Sequence, residues 1–260
     1  MIGFIGGGNM AEAIIKGMVV KGQKDILVSE PRNMRKTFLE KAYGISTTSS
    51  NKEVAEKCSV LILAVKPQNM SEVLNEIAPA INSEQTVVSV AAGISIEFIK
   101  SKINTDKVVR VMPNTPATVQ EAISVLTMAK GLSQSEYEKV NNIFSAVGKT
   151  IFMSESMMNA VTALSGSGPA FIALFVEHMA AAGIKAGLTK EDAFTLAAQT
   201  LIGTAKMVEA GYEPANIRAM VTSPGGTTAC GLAVFNDNNL GKIVEDSLAA
   251  AKKRAEELGA

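Results

Sequence analysis

The first part of the chain alternates short β-branched runs with amphipathic segments. This alternation predicts a parallel sheet with helices on both of its faces. A further strand pair is predicted at 122–128 and 149–152, and the helix between them starts with a capping-box pattern at Ser133 and Glu136. The other predicted strands are 2–5, 25–29, 59–65, 86–90 and 107–112, and the helices between them are 9–21, 32–42, 69–79 and 95–102.

Beyond about residue 154 the strand-like runs stop, and the pattern becomes helical and rich in Ala and Met. Thr189 with Asp192 is typical of a capped helix start. We therefore predict a doubly wound α/β domain at 1–154 and an all-helical domain at 155–260. The predicted helices are 156–186, 190–210, 214–221, 228–236 and 239–258, with Gly183, Gly187 and Gly211 expected as C-terminal caps.

A glycine-rich turn joins the first predicted strand to the first predicted helix. The stretch IGFIGGGNMAEAI supplies the pattern G-x-G-x-x-A as Gly6, Gly8 and Ala11. In the order strand, turn, helix, strand, this pattern indicates a dinucleotide-binding Rossmann-type domain. Gly6 permits the turn, Gly8 allows a pyrophosphate to approach the backbone, and Ala11 keeps the helix close to the sheet.

The second predicted strand ends in VSEPRN, and the residues of this stretch are compatible with either of two cofactors. Glu30 lies roughly 20 residues beyond the glycines, where an acidic residue usually binds the ribose 2′-hydroxyl of NAD. Ser29, Arg32 and Arg35 are instead suited to a 2′-phosphate. The residues therefore leave the choice between NADH and NADPH open.

Charge and cysteine content exclude several classes of function. Lys plus Arg and Asp plus Glu are 25 each in 260 residues, which argues against a nucleic-acid or membrane-surface role. Cys58 and Cys230 are too few for a disulfide framework, and no further ligand type gathers near either of them, so no metal site is predicted. With strand-like residues starting at Ile2 and no signal peptide before them, these features predict a cytoplasmic protein.

One stretch requires a test for membrane insertion. No charged residue occurs between Glu155 and Glu177. Its middle is SGSGP at 165–169, which a lipid-facing span does not favour, and the apolar run after it is shorter than the roughly 20 residues that a crossing needs. We therefore expect a helix buried in protein.

The segment SPGGTT at 223–228 interrupts the helical half with small residues that are rich in hydrogen-bond donors. Pro and Gly both break helices. One interpretation is an ordinary loop in which a Thr is the N-cap of the next helix. The other is a binding loop.

Several motifs together resemble the pyrroline-5-carboxylate reductase family. They are GFIGGGNMA, AVKPQ, SVAAG, VMPNTPA, ALSGSGPAF and SPGGTT, the last followed by AVFND, and they extend from end to end of the chain. The resemblance implies a two-domain reductase that uses NADPH, with NADH as the alternative, and forms L-proline from pyrroline-5-carboxylate in the last step of proline biosynthesis. It also implies a homodimer formed through the helical half, with a decamer of dimers as a further expectation.

The resemblance also assigns residues to ligands. The loop 223–228 is expected to bind the substrate, with its backbone N–H groups forming an anion-binding nest for the carboxylate. Thr228 is the expected catalytic residue, because its hydroxyl can hydrogen-bond the ring nitrogen. The substrate set is Ser223, Gly226, Thr227 and Thr228; the cofactor set is Gly6, Gly7, Gly8, Asn9, Met10, Ala11, Ser29, Glu30, Arg32, Asn51, Ala64, Val65, Lys66, Pro67, Ala91, Ala92 and Gly93.

The chemistry of the helical half favours an imine substrate. β-Hydroxyacid dehydrogenases of similar architecture use a Lys on the first long helix as proton donor, and here no Lys occurs between Lys149 and Lys185. A protonated imine already carries the positive charge that accepts hydride, so positioning matters more than an acid. The alternatives are an oxidoreductase for a 2-oxo or 3-hydroxy acid and a nucleotide-sensing module without catalysis. Lys66, before a Pro, is expected to be an extended loop residue, and His178 a packed or surface residue.

Overall fold

The computed structural model describes residues 1–129 and 131–258, and within them eight strands form a single sheet. The strands are β1 (Ile2–Ile5), β2 (Ile26–Ser29), β3 (Ser46–Thr48), β4 (Val60–Leu63), β5 (Thr86–Ser89), β6 (Val108–Met112), β7 (Ala122–Met128) and β8 (Gly148–Phe152). Their order across the sheet is β3-β2-β1-β4-β5-β6-β7-β8. Neighbouring strands from β3 to β6 pair in parallel, β7 pairs antiparallel to β6, and β8 pairs parallel to β7.

The doubly wound α/β fold predicted from the sequence is confirmed, with two differences in the sheet. The parallel arrangement fails at β7, which runs antiparallel to β6 because only the short segment 113–121 joins the two strands. The edge strand β3 was not predicted. Its three residues Ser46, Thr47 and Thr48 are polar and lack the apolar run that identifies a strand.

Helices cover both faces of the sheet. Successive strand residues point to opposite faces, so Phe4 and Ile62 enter one apolar core while Ile5 and Leu63 enter the other. The capping box predicted at the start of the sixth helix is present. The helices are α1 (Asn9–Val20), α2 (Asn33–Tyr43), α3 (Asn51–Lys57), α4 (Met70–Ile77), α5 (Ile96–Lys100), α6 (Gln134–Ser145) and α7 (Met158–Val161).

The helix predicted at 156–186 is interrupted by a π-helical turn at Thr162–Gly166, between α7 and α8 (Gly168–Lys185). Hydroxyl groups bond the carbonyls around this turn: Thr162 Oγ1 donates to the Met158 carbonyl at 2.8 Å, and Ser165 Oγ donates to the Val161 carbonyl at 3.0 Å. Turns of this kind occur frequently at functional sites.

The chain divides into two compact units, and the division falls later than the predicted boundary at 154/155. The first unit contains Met1–Ser167 and the described residues from Ala251 onwards, and the second contains Gly168–Ala250. Helix α7 belongs to the first unit because Met158 and Val161 pack against Val125 of β7.

The second unit contains few buried apolar residues: Ala180, Ala193 and Ala197 form its small core. Gly183 lies inside α8, so its prediction as a C-cap is wrong; a Cβ there would lie 3.4 Å from the Cβ of Ala193. Gly187 and Gly211 follow helix ends with φ of +104° and +92°, as C-terminal glycines do. The remaining helices are α9 (Lys190–Glu209), α10 (Pro214–Met220), α11 (Thr227–Asp237) and α12 (Leu240–Leu258), whose last residues group with the first unit.

Among the described residues, one helical stretch, Glu155–Lys185, is long and apolar enough to cross a membrane by length and composition alone. Little of its most apolar part is buried within the chain. The chain itself therefore covers little of this helix, and the burial in protein that we expect from the sequence requires another partner.

Candidate active site

The carboxyl ends of four neighbouring strands bring most of the predicted cofactor residues to one edge of the sheet. The chain proceeds from β1 to β2 and β3 on one side and from β4 to β5 on the other, so β1 and β4 flank a topological switch point. Ligands of open α/β sheets bind at such a point. Gly6 follows β1, Ser29 ends β2, Ala64 follows β4, and Ala91 lies just beyond β5.

The glycine loop has a tight side and an open side. Gly6 has φ of +96°, its N–H donates to the Ser29 carbonyl at 2.9 Å, and a Cβ on it would lie 2.8 Å from the Ala64 carbonyl oxygen. Gly8 has φ of −70°, and a Cβ built there meets no atom within 4 Å. Gly8 is the N-cap of α1 and no side chain caps the helix, so its first N–H groups remain available to an anion.

Glu30 has a role that the sequence did not reveal. It is 3% exposed, and its Oε2 accepts a hydrogen bond from the Gly7 N–H at 3.1 Å. The Arg32 backbone N–H and Nε donate to Oε1, and Arg32 Nη2 donates to Oε2. These four donors use all the acceptor positions of a carboxylate, which leaves none for a ribose hydroxyl. The hydrogen bond from the Arg32 side chain holds the pKa of Glu30 below its usual value despite burial.

The two arginines near the end of β2 face different surroundings. The Arg32 side chain is 66% exposed, and it lines an open depression with Met34, Arg35 and Phe38. Arg35 is turned toward the glycine loop, where its Nε donates to the Gly7 carbonyl at 2.6 Å. Both arginines border the depression, but Arg32 has the more exposed side chain, because Arg35 is partly buried by its bonds to the loop and to Glu12.

Ser29 and Asn51, two further predicted cofactor residues, are brought together by the fold. Ser29 Oγ donates to Asn51 Oδ1 at 2.6 Å, and Asn51 Nδ2 donates to Glu76 Oε2 at 2.7 Å. Asn51 is the first residue of α3, which is capped by Ser50. This chain of hydrogen bonds holds two polar side chains beside the end of β2, where a ribose is expected.

Small residues border the glycine loop on its other side. Lys66 has extended backbone angles, φ −66° and ψ 147°, as expected for a residue before Pro, and its side chain is exposed. Pro67 begins a short 3₁₀ turn. Beyond β5, Ala91 is buried and Gly93 has φ of +79°. Because Ala91 has a short side chain and Gly93 has none, the backbone there is suited to lie against a flat ring.

Asn114, which lies in the motif VMPNTPA, links β6 to the π-helical turn. Its Nδ2 donates to the Ser165 carbonyl at 3.2 Å, and its Oδ1 accepts the Ile123 N–H at 3.0 Å. Met112 packs close to Gly166 in the same turn. No local sequence pattern predicts this contact, because Asn114 and Ser165 are 51 residues apart along the chain.

The predicted substrate loop is a tight turn followed by an uncapped helix. The Gly226 N–H donates to the Ser223 carbonyl at 3.0 Å, and Gly225 has φ of +70°, so Ser223–Gly226 has the geometry of a type II turn with Pro224 at its second position. A Cβ on Gly226 would lie 2.4 Å from Ser223 Oγ.

Helix α11 starts directly after this turn. Its N-cap is Gly226, and no side chain caps it, so the interpretation with a Thr as N-cap is wrong. Thr227 and Thr228 are the first two helical residues, and their backbone N–H groups have no partner within the helix. Neither threonine hydroxyl donates to another of the described residues. His178 is exposed on α8, in agreement with a surface residue.

A nicotinamide dinucleotide fits the region around the glycine loop at the end of β1. The uncapped start of α1 and the open space at Gly8 suit a pyrophosphate, and Ser29 with Asn51 suits a ribose. A sheet with this loop at its switch point, followed by a helical unit, defines a dinucleotide-dependent oxidoreductase of Rossmann type. Residues 1–93 match the family model described as NADP oxidoreductase, coenzyme F420-dependent, and residues 155–258 match pyrroline-5-carboxylate reductase dimerisation.

The similarity to pyrroline-5-carboxylate reductases extends over the whole chain. The enzyme of a Synechocystis species is 40% identical over 99% of this chain and 98% of its own length, and that of Arabidopsis thaliana is 38% identical over 99% and 95%. The chain belongs to the pyrroline-5-carboxylate reductase family, which confirms the resemblance found in its motifs.

Solved structures agree with this assignment. The reductase of Coxiella burnetii has a TM-score of 0.91 at 35% identity, covering 100% of this chain and 98% of that one. The Plasmodium falciparum enzyme, solved with NADP bound, has a TM-score of 0.88 at 30% identity with the same coverage. A prephenate dehydrogenase from A. aeolicus, with a TM-score of 0.55 at 13% identity, shares the fold alone.

Proposed function

We propose that this chain reduces the imine of Δ1-pyrroline-5-carboxylate to L-proline with NAD(P)H as the hydride donor. Membership of the reductase family over the full length of the chain is the observation that carries this proposal. The open glycine loop in the first unit and the uncapped start of α11 in the second supply the two kinds of binding group that the reaction needs.

The loop 223–228 is suited to the substrate carboxylate. The backbone N–H groups of Thr227 and Thr228 point out of the start of α11, where the helix dipole favours negative charge. Because no side chain occupies these donors, a carboxylate has no internal cap to displace. The Thr228 hydroxyl lies on the second residue of the helix and is available to hydrogen-bond the ring nitrogen.

The reaction needs orientation more than proton transfer. When bound, NAD(P)H supplies a hydride, and the iminium carbon accepts its electron pair while the C=N π electrons become the nitrogen lone pair. The protonated substrate brings its own proton, so L-proline forms without an acid on α8. The sequence agrees, since no Lys occurs between Lys149 and Lys185. The role of the chain is to hold the carboxylate and the nitrogen.

NADPH is the proposed preferred cofactor. The exposed guanidinium of Arg32 supports this preference, because it lies next to the end of β2, where a 2′-phosphate is expected. Glu30, with its acceptors already used, is no longer a competing ligand for a 2′-hydroxyl. We further assign the protein to the cytoplasm, and we assign assembly to its helical half as a homodimer that can assemble further.

Initial rates with pyrroline-5-carboxylate test this function, using NADPH and NADH in parallel. Formation of proline coupled to cofactor oxidation, with higher kcat/KM for NADPH, is the expected result. Nucleotide binding without turnover would contradict the reductase function and favour a nucleotide sensor. Turnover of a 2-oxo acid in place of the imine would favour the related dehydrogenase activity.

A further inference from the structure

We propose that Arg35 is a positioning residue that preforms the phosphate-binding loop by holding the carbonyl groups of Gly7 and Gly8. This inference rests on the proposed cofactor site and assigns Arg35 an effect that acts through the loop. Three observations carry it: the bonds around the Gly7 peptide, the direction that those bonds impose on the loop, and the way Arg35 itself is anchored.

Both polar groups of Gly7 are bonded to charged side chains. The Gly7 N–H donates to Glu30 at 3.1 Å, and the Gly7 carbonyl accepts from Arg35 Nε at 2.6 Å. Arg35 Nη2 also donates to the Gly8 carbonyl at 3.3 Å. A glycine loop has wide conformational freedom, and a bond on each side of one residue removes much of it.

The bonds to Arg35 determine where the next amides point. In a trans peptide the C=O and the following N–H are directed oppositely. Because the Gly7 and Gly8 carbonyls are drawn to Arg35, the N–H groups of Gly8 and Asn9 point away from it. The space beside Gly8 is open, so these amides remain available to a phosphate. A rotated peptide would instead present a carbonyl oxygen, which repels an anion.

Arg35 is itself held on its far side. Its Nη2 forms an ion pair with Glu12 Oε2, and Glu12 Oε1 accepts from the Tyr43 hydroxyl at 2.8 Å. Burial, followed by the bond to Glu12, raises the pKa of Tyr43 to about 12, so the phenol stays a donor at neutral pH. The guanidinium also lies 5.2 Å from the ring centre of Phe38. Its orientation is therefore set by α1 and α2 without a ligand.

Cofactor titrations of the full-length protein test this role. Arg35→Met keeps the length and the apolar stem but removes every donor. The apparent affinity for a ligand falls in proportion to the fraction of molecules whose loop has the binding conformation. We therefore expect NADPH and NADH to bind at least roughly tenfold more weakly, and both by the same factor. Lys36→Met is the matched control, because Lys36 is the next residue and bonds Ser49, away from the loop; its affinities should equal those of the parent.

The choice of two nucleotides separates positioning of the loop from direct contact with the 2′-phosphate. A loss confined to NADPH would show that Arg35 binds the 2′-phosphate and would overturn the proposal, as would unchanged affinity for both. Arg35→Lys keeps the charge without the planar fork and should recover only part of the affinity; full recovery would show that holding both carbonyl groups is not needed and would also overturn the proposal. Circular dichroism verifies that each variant is folded. The reductase function is judged on turnover, so binding without turnover contradicts that function and leaves the Arg35 result intact.

Discussion

At the scale of single residues, three successive glycines in one loop meet three different surroundings. A side chain at Gly6 would be strained by its positive φ and would contact the Ala64 carbonyl, and one at Gly7 would lie 2.9 Å from Leu39 Cδ1. Only Gly8 faces open space with an ordinary φ. The protein itself therefore restricts the first two positions, whereas at Gly8 the fold imposes no such limit and we expect the ligand to require a glycine.

Substitution at Gly8 and Gly6 should separate these requirements. Gly8→Val should leave the fold intact and weaken NADPH binding by at least roughly tenfold, because a branched side chain occupies the space where the pyrophosphate approaches. Gly6→Val should lower the free energy of unfolding by about 1–3 kcal/mol through strain and overpacking. Nucleotide titration and thermal melting measure the two effects. Unchanged NADPH binding by folded Gly8→Val would contradict the placement of the phosphate.

The Thr228 hydroxyl provides a second test on a single residue. If it bonds the substrate nitrogen, Thr228→Ala removes a contact of about 1–3 kcal/mol and lowers kcat/KM by roughly 5- to 150-fold. Cofactor affinity should stay near that of the parent, since the glycine loop belongs to the other unit. Thr228→Ser should recover much of the activity, and Thr227→Ala should cost less. Steady-state kinetics decide, and full activity in Thr228→Ala would exclude a role for the hydroxyl.

At the scale of elements, the start of α6 shows how a local cap and a distant charge combine. Ser133 and Glu136 form the capping box predicted from the sequence. The fold adds Lys107, whose Nζ lies 2.9 Å from Glu136 Oε1. The Lys107 side chain, followed by the bonds from Ser133, lowers the pKa of Glu136 to about 2.

This lowered pKa predicts an acid-sensitive contribution to stability. The ordinary value is 4.5. The carboxylate therefore stabilises the fold fully above about pH 4.5, and this contribution is lost as the pH falls toward 2. Glu136→Gln should lower the Tm at neutral pH, and the difference from the parent should shrink on acidification. Glu138→Gln, an exposed position on the same helix, is the control. A difference in Tm that is independent of pH would contradict this account.

At the scale of the whole molecule, the second unit leaves large apolar side chains in solvent. Phe171, Ile172, Leu174 and Phe175, all on α8, are between 39% and 53% exposed. The match to the family's dimerisation model covers these residues. Exposed apolar surface of this kind marks an interface, so a second copy of the chain is the expected partner.

A charge placed on this surface should separate the copies. The parent is expected to sediment as a dimer or a larger assembly at micromolar concentration. Leu174→Glu should shift it toward monomer, because an unpaired carboxylate is costly to bury at an interface. Lys41→Glu on α2 in the first unit is the control and should keep the parent's state. Analytical ultracentrifugation measures this, and a parent that is monomeric throughout would contradict the prediction.

Patterns that act over a few residues were readable from the sequence. The strands at Ile2–Ile5 and Val60–Leu63 follow from β-branched runs, the glycine loop from its position between strand and helix, and the Ser133 cap from spacing alone. In each case the interacting groups are close along the chain, so composition and order determine the geometry. The motifs of the family are also short contiguous stretches, so the sequence alone was sufficient to indicate the family.

Tertiary structure decided what depends on contacts between distant segments. Only the fold shows that Glu30 accepts a hydrogen bond from Gly7 and that Ser29 bonds Asn51. It also shows that Arg35 is bonded to the glycine loop, whereas Arg32 is exposed. The antiparallel β7 and the π-helical turn tied to Asn114 belong to the same class. A charged side chain can satisfy its hydrogen bonds with a ligand or with other groups of the protein. Which one it takes depends on distances that exist only after the chain has folded.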